Sequence, residues 1–232
     1  MRVVAVALCL LLAAVPARAQ GTVEGQFTLG GKVVPLPAGS WRVVTLLSEP
    51  ARTSDLINPI TYHRAVLVQE RAGRAAAVIY ASAATEAQTV WNPHAICTST
   101  TALRRHVAVA VRGNLDCRGL LMVGSGRSPG TPAWLNAFYD EGESRPGWIP
   151  PRWLSAQVVL SEGMHLLNVE YRFAPSVYAP QTISAVNWSE GARNAAQQAF
   201  VDRLDAWSAE ARAELRRGLY GRAPAAPLPA PF

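Results

Sequence analysis

Cys97 and Cys117 are the two cysteines outside the apolar amino terminus, and with His94 and His106 they allow two chemistries. An even pair of thiols in an oxidising compartment joins as a disulfide. Alternatively, His94-Ala95-Ile96-Cys97 has the ligand spacing of one helical turn, and His106 and Cys117 would complete a zinc set. A second closely spaced ligand pair, usual in structural zinc sites, is missing from the sequence. The disulfide is therefore the expectation, and no metal or cofactor is implied.

Gly124-Ser125-Gly126-Arg127-Ser128-Pro129-Gly130 invites a phosphate-loop reading, with Arg127 adding a charge. Its spacing is one residue too long for the dinucleotide fingerprint, and no Gly-Lys-Ser/Thr follows. A tight turn accounts for it, with simple anion capture left open. The Gly-x-Ser-x-Gly of a nucleophile elbow does not occur. His63, His94, His106 and His165 are isolated, and the Asp140, Glu141, Glu143 cluster lacks calcium-loop spacing. That cluster reads as a solvated helix end.

Of the seven tryptophans, Trp41, Trp134 and Trp207 fall on apolar faces and read as core. Trp148 and Trp153 flank Pro150-Pro151-Arg152, and Trp91 precedes Asn92-Pro93. Indoles on irregular loops either stack on a sugar or peptide or plug the end of a sheet. Arg127, Trp148, Arg152 and Trp153 are thus the candidate ligand-binding residues.

The elements that must position these residues arrive as local hairpins. Phe27–Leu29 and Lys32–Val34 flank Gly30-Gly31, which supplies the positive φ angles of a primed turn. Trp41–Leu47 is a β-branched strand ended by Pro50, and residues 51–61 read as loop. Tyr62–Gln69 and Ala75–Ala81 flank a turn at Arg71-Ala72-Gly73. Residues 84–103 read as loop with short helical pieces. His106–Arg112 and Leu120–Val123 are two further strands, and 132–139 is a short helix with proline in its first turn. Residues 142–153 read as a turn region, and a third hairpin pairs Ala156–Leu160 with His165–Phe173, closed by Pro175. Asn187, answered by Glu190, is a candidate cap for a long helix. Phe200, Leu204, Trp207, Ala211, Leu215 and Leu219 form its single apolar stripe, with Arg212, Arg216 and Arg217 near its negative pole. Hairpins followed by a late helix predict an α+β fold, a mainly antiparallel sheet with the long C-terminal helix packed on one face.

Arg2 precedes an unbroken apolar run from Val3 to Val15, then Pro16 and a small-x-small Ala17-Arg18-Ala19. That is the pattern of a cleavable secretory leader. Its apolar run falls short of the roughly 20 residues of a spanning helix. The expected organisation is a signal peptide over 1–19, one domain over 20–222 and a Pro/Ala-rich tail over 223–232. A periplasmic or secreted location follows, with no membrane span of the chain's own. Half of the residues are hydrophobic and 16% are charged, which excludes a disordered polyelectrolyte. The net charge of +6 includes Arg2 and Arg18, and the arginines are scattered, so a nucleic-acid partner is not expected.

Val33-Val34-Pro35-Leu36-Pro37-Ala38-Gly39-Ser40-Trp41, the two cysteines, Trp148–Leu154 and Phe200–Trp207 resemble those of a group of exported proteobacterial proteins to which no activity is assigned. The resemblance implies an α+β envelope protein and transfers no catalytic residue. The function expected is a non-catalytic binding or interaction module, its partner an envelope protein or a small ligand. The alternatives are a hydrolase assembled from dispersed residues, or metal binding through His94, Cys97, His106 and Cys117.

Overall fold

The computed structural model describes residues 21–51, 60–84, 91–179, 188 and 191–232. The leader, the Asn187–Glu190 cap and most of the 51–61 connection lie outside the described residues. Among the described residues ten strands form: β1 (Thr22–Val23), β2 (Gln26–Leu29), β3 (Lys32–Pro35), β4 (Trp41–Ala51), β5 (Ile60–Arg71), β6 (Arg74–Ala84), β7 (Arg104–Val111), β8 (Asn114–Gly124), β9 (Arg152–Glu162) and β10 (His165–Phe173). Eight of them make one sheet in the order β1-β4-β5-β6-β10-β9-β8-β7, and every pairing is antiparallel. The runs β4–β6 and β7–β10 are each built from neighbours in sequence, and they join where β6 pairs β10. The small β2–β3 sheet is the expected hairpin, with φ of 55° at Gly30 and 73° at Gly31.

Pro50 does not end β4, which continues to Ala51. It pairs with Thr61 of β5, while β1 covers only the Trp41 and Arg42 end of the other side. A proline on an otherwise open edge gives up no ladder bond. The described residues also form the helices α1 (Ala95–Thr98), α2 (Asn136–Ser144), α3 (Pro175–Tyr178) and α4 (Ala195–Gly218). α2 begins after a 3-10 turn at Ala133–Leu135, so the short helix runs further than 132–139. α4 begins at a capping box of Asn194 and Gln197.

The expected stripe of α4 is buried along its length, from Phe200 to Leu219. Trp207 sits edge-on to Tyr171 and Phe173 of β10, with ring centroids 5.1 and 5.4 Å apart. Each buried aliphatic or aromatic side chain in such a seam contributes about 2 kcal/mol. Beside the seam runs a row of ion pairs to β7 and β8. Arg118 donates to Asp205 at 2.5 Å and to Ser208 at 2.7 Å, and Arg104 reaches Asp202 at 2.9 Å. Buried Asp116 is clamped by Arg212 through two nitrogens and by Arg216 at 2.9 Å. Arg212 and Arg216 thus answer a carboxylate on the sheet as well as the helix dipole. The carboxyl-terminal residues are applied to this layer, unlike a tail that leaves the core: Leu228 is buried and bridges Pro37, and Phe232 stacks on Phe200 at 3.6 Å.

The opposite face of the sheet carries two smaller clusters. α2 and Trp148 cover Val66, Val68 and Val78, and α1 with Trp91 covers Ala84, Leu115, Val159 and Leu166. Cys97 of α1 is bonded to Cys117 of β8, which ties the second cover to the sheet.

Two outcomes follow from this packing. A Cβ at Gly218 would lie 1.9 Å from the Val33 carbonyl oxygen, so α4 and β3 approach backbone to backbone. Gly→Ala in a helix ordinarily stabilises by about 1 kcal/mol. Here Gly218→Ala is expected to lower the denaturant midpoint instead, by about 2 kcal/mol of overpacking; a raised midpoint contradicts the contact. The disulfide spans 20 positions, and its loss in the Cys97→Ser/Cys117→Ser double variant should cost about 3 kcal/mol in the same measurement.

Candidate functional site

The side chains singled out by sequence do not converge. Trp148 and Trp153 are fully buried among Phe138, Tyr139 and Val68, so they plug the sheet and offer no stacking platform. Arg152 is exposed at the start of β9, and Arg127 pairs with Asp140 and, at 3.4 Å, with Glu143. Glu141 takes Arg42 at 2.7 Å and Arg145 at 2.9 Å, so the acidic cluster is an ion-pair network. The disulfide removes both thiols from any zinc set. His106 meets Asp205 on α4 at 3.1 Å, on the opposite side of the sheet from His94. Among the described residues no group of three or more His, Cys, Asp or Glu is placed to hold a metal.

A different arrangement emerges from strand register. Side chains alternate across a strand, so residues paired across neighbouring strands share a face. Arg64, Ser82 and Asn168 form one such row across β5, β6 and β10. Tyr80, Glu170 and Gln157 form the next across β6, β10 and β9, and Arg172 with Ser155 the one after. The second and third rows continue from Val66 and from Val68 and Val78, which α2 covers on β5 and β6. The α4 face of the same strands carries Leu67, Ile79, Val169 and Val158. The second face therefore carries a polar stretch beside the apolar residues under α1 and α2.

This belt is half-buried and internally bonded. Arg64 donates from Nε to Glu49 at 2.5 Å and from Nη1 to the Ser82 hydroxyl at 2.9 Å. Its guanidinium carbon lies 4.7 Å from the Tyr62 ring centre and 5.3 Å from that of Trp134. Arg172 donates to Glu170 at 2.8 Å while covering the Tyr80 ring, and Ser155 donates to the same carboxylate oxygen at 2.7 Å. Gln157 donates to the Asn168 carbonyl at 3.3 Å. Burial pushes the Tyr80 hydroxyl well above its ordinary titration range, so it stays protonated.

His94 overhangs the belt as the residue before α1. Its Nδ1 accepts the Ile96 amide at 3.3 Å, which places the proton of the neutral ring on Nε2. That nitrogen lies 3.4 Å from Asn168 Nδ2, and in this tautomer both atoms carry protons, so neither donates to the other. Burial lowers the imidazole pKa, and Glu170 opposes this more weakly.

Between α1 and the belt opens a cleft of about 260 Å³. Arg64, Ser82, Asn168 and His94 supply its polar wall; Trp91, Leu115, Val159 and Leu166 supply the apolar one. A few converging polar groups in an apolar concavity are the composition of a small-molecule site. Sequence reasoning passed over the belt, although Asn168, Glu170 and Arg172 alternate with apolar residues along His165–Phe173. Alternation signals one polar face of a strand; whether solvent or a cleft lies over it depends on distant elements.

The lowered imidazole pKa makes stability depend on pH. Between the ordinary value of 6.5 and the lower folded one, the unfolded chain binds a proton that the folded His94 refuses. Stability should therefore fall as pH drops through that window. Urea midpoints from pH 7.5 to 5 should show the fall, and His94→Gln should make it shallower; an equal slope in both proteins refutes the assignment.

No family model, characterised protein or solved structure matches this chain.

Proposed function

We propose that the chain is an exported binding protein of the cell envelope, cleaved after Ala19, whose ligand seat is the cleft beneath His94. The observation that carries the reading is the polar belt. Replacing a largely buried ion pair by well-packed apolar residues is often neutral or stabilising, so stability alone does not account for Arg172–Glu170 in mid-sheet. The adjoining Arg64, Ser82 and Asn168 line a cleft, which gives this polar stretch a ligand to face. The leader pattern and the Cys97–Cys117 bond support an oxidising destination. The resemblance to exported envelope proteins points the same way.

A hydrolytic reading rests on one contact, Ser48 Oγ to His63 Nδ1 at 2.8 Å across β4 and β5. Among the described residues no carboxylate is hydrogen-bonded to that imidazole, whereas a serine nucleophile uses a base oriented by a third group. The binding reading is therefore the stronger.

Cell fractionation with amino-terminal sequencing should find the chain in the envelope, starting at Gln20, without free thiols. Native mass spectrometry of gently purified protein should reveal a co-purifying small molecule. Added back to ligand-free, nitrogen-labelled protein, that molecule should shift the Trp91 indole and Asn168 amide signals. A cytosolic chain with reduced cysteines rejects the export assignment. Shifts confined to another surface, or covalent labelling of Ser48 by a fluorophosphonate, reject the cleft as the seat of function.

A further inference from the structure

The charges around the cleft are already matched. Arg64 is paired with Glu49 and Arg172 with Glu170. The remaining polar lining groups (Ser82, Asn92, Asn168, Tyr62) are uncharged, and burial favours the neutral form of His94. A charged ligand entering here would have to displace one of the existing partners or remain unpaired in a half-buried space, and both are costly. A neutral ligand meets no such cost.

Amide and hydroxyl side chains both donate and accept, which is the pairing that a ligand hydroxyl requires. Facing them is the apolar wall of Trp91, Leu115, Val159 and Leu166, suited to the C–H face of a ring. The volume of about 260 Å³ lies just below the roughly 300–1,000 Å³ usual for drug-sized ligands, which restricts the occupant to about one ring.

We infer that the cleft takes a small uncharged polyhydroxy ring, of the monosaccharide or cyclitol kind, with hydroxyls toward Ser82, Asn168 and His94 and its apolar face toward Trp91 and Leu166. The inference rests on the cleft being the binding seat, and it adds the ligand's chemical class.

The test titrates nitrogen-labelled mature protein with glucose, galactose, xylose and myo-inositol, and with glucuronate and glucosamine as charged counterparts. At least one neutral compound should shift the Trp91 indole and Asn168 amide signals and bind roughly tenfold tighter than the charged ones. The affinity should be insensitive to added sodium chloride, because no net charge is neutralised on binding. Asn168→Leu and, separately, Ser82→Ala should each weaken it by about tenfold, the loss of one buried hydrogen bond. Retained α4 and disulfide-loop signals would show that both variants fold. Equal or tighter binding of glucuronate or glucosamine overturns the inference, as does the absence of shifts with all six compounds. If the molecule that co-purifies has another chemistry yet shifts the same signals, the cleft stands as the seat and the ligand class falls.

Discussion

The seam in which Trp207 of α4 meets Tyr171 and Phe173 of β10 closes the middle of one face of the eight-stranded sheet, the β2–β3 hairpin covers β5 and β6 beside it, and the rest of the molecule is arranged around that closure. β10 is an internal strand, paired with β6 on one side and β9 on the other, so the seam lies where the two sequential runs of strands join. Its apolar side chains need an apolar partner there, and α4 supplies one in a single continuous stripe. Ion pairs from Asp116, Arg118 and Arg104 then hold the helix flank to β7 and β8. The carboxyl-terminal Leu228 and Phe232 extend the same apolar layer beyond the helix.

With one face covered by the helix and the β2–β3 hairpin, the other receives two short covers. α2 with Trp148 packs over one end, and α1, fastened by Cys97–Cys117, packs over the other. The polar belt lies beside them, with Tyr80 edge-on to Phe138 of α2, and its groups bond to one another because half-buried charges without partners would be costly. The disulfide thereby does more than close a chain loop: it holds the residues around His94 and Trp91 above the belt, and so maintains one wall of the cleft.

Trp148 and Arg152 drew attention as an aromatic and a cation on an irregular segment, yet the indole fills the core under α2 and the guanidinium faces solvent. Asn168, Glu170 and Arg172 alternate with apolar residues, and on a single strand they resemble any solvent-facing row. Their register with Ser82, Tyr80 and Gln157 turns them into a surface, and that register joins strands up to about a hundred positions apart.

Much of the architecture was legible in the linear chain because it depends on neighbours in sequence. The Gly30-Gly31 turn, the hairpins of β5–β6 and β9–β10, the α4 stripe and the α+β class all rest on local periodicity and turn chemistry. The pairing of the two cysteines was likewise the simplest outcome of their number. Long-range placement was not legible: that β6 pairs β10, that Pro50 sits on an open edge, that Phe232 returns to Phe200, and that a cleft opens under His94. Turns and amphipathic periods are set by interactions a few residues apart, which the order of residues encodes directly. The occupancy of each sheet face depends on which distant element arrives to cover it, and that is decided when the whole chain packs.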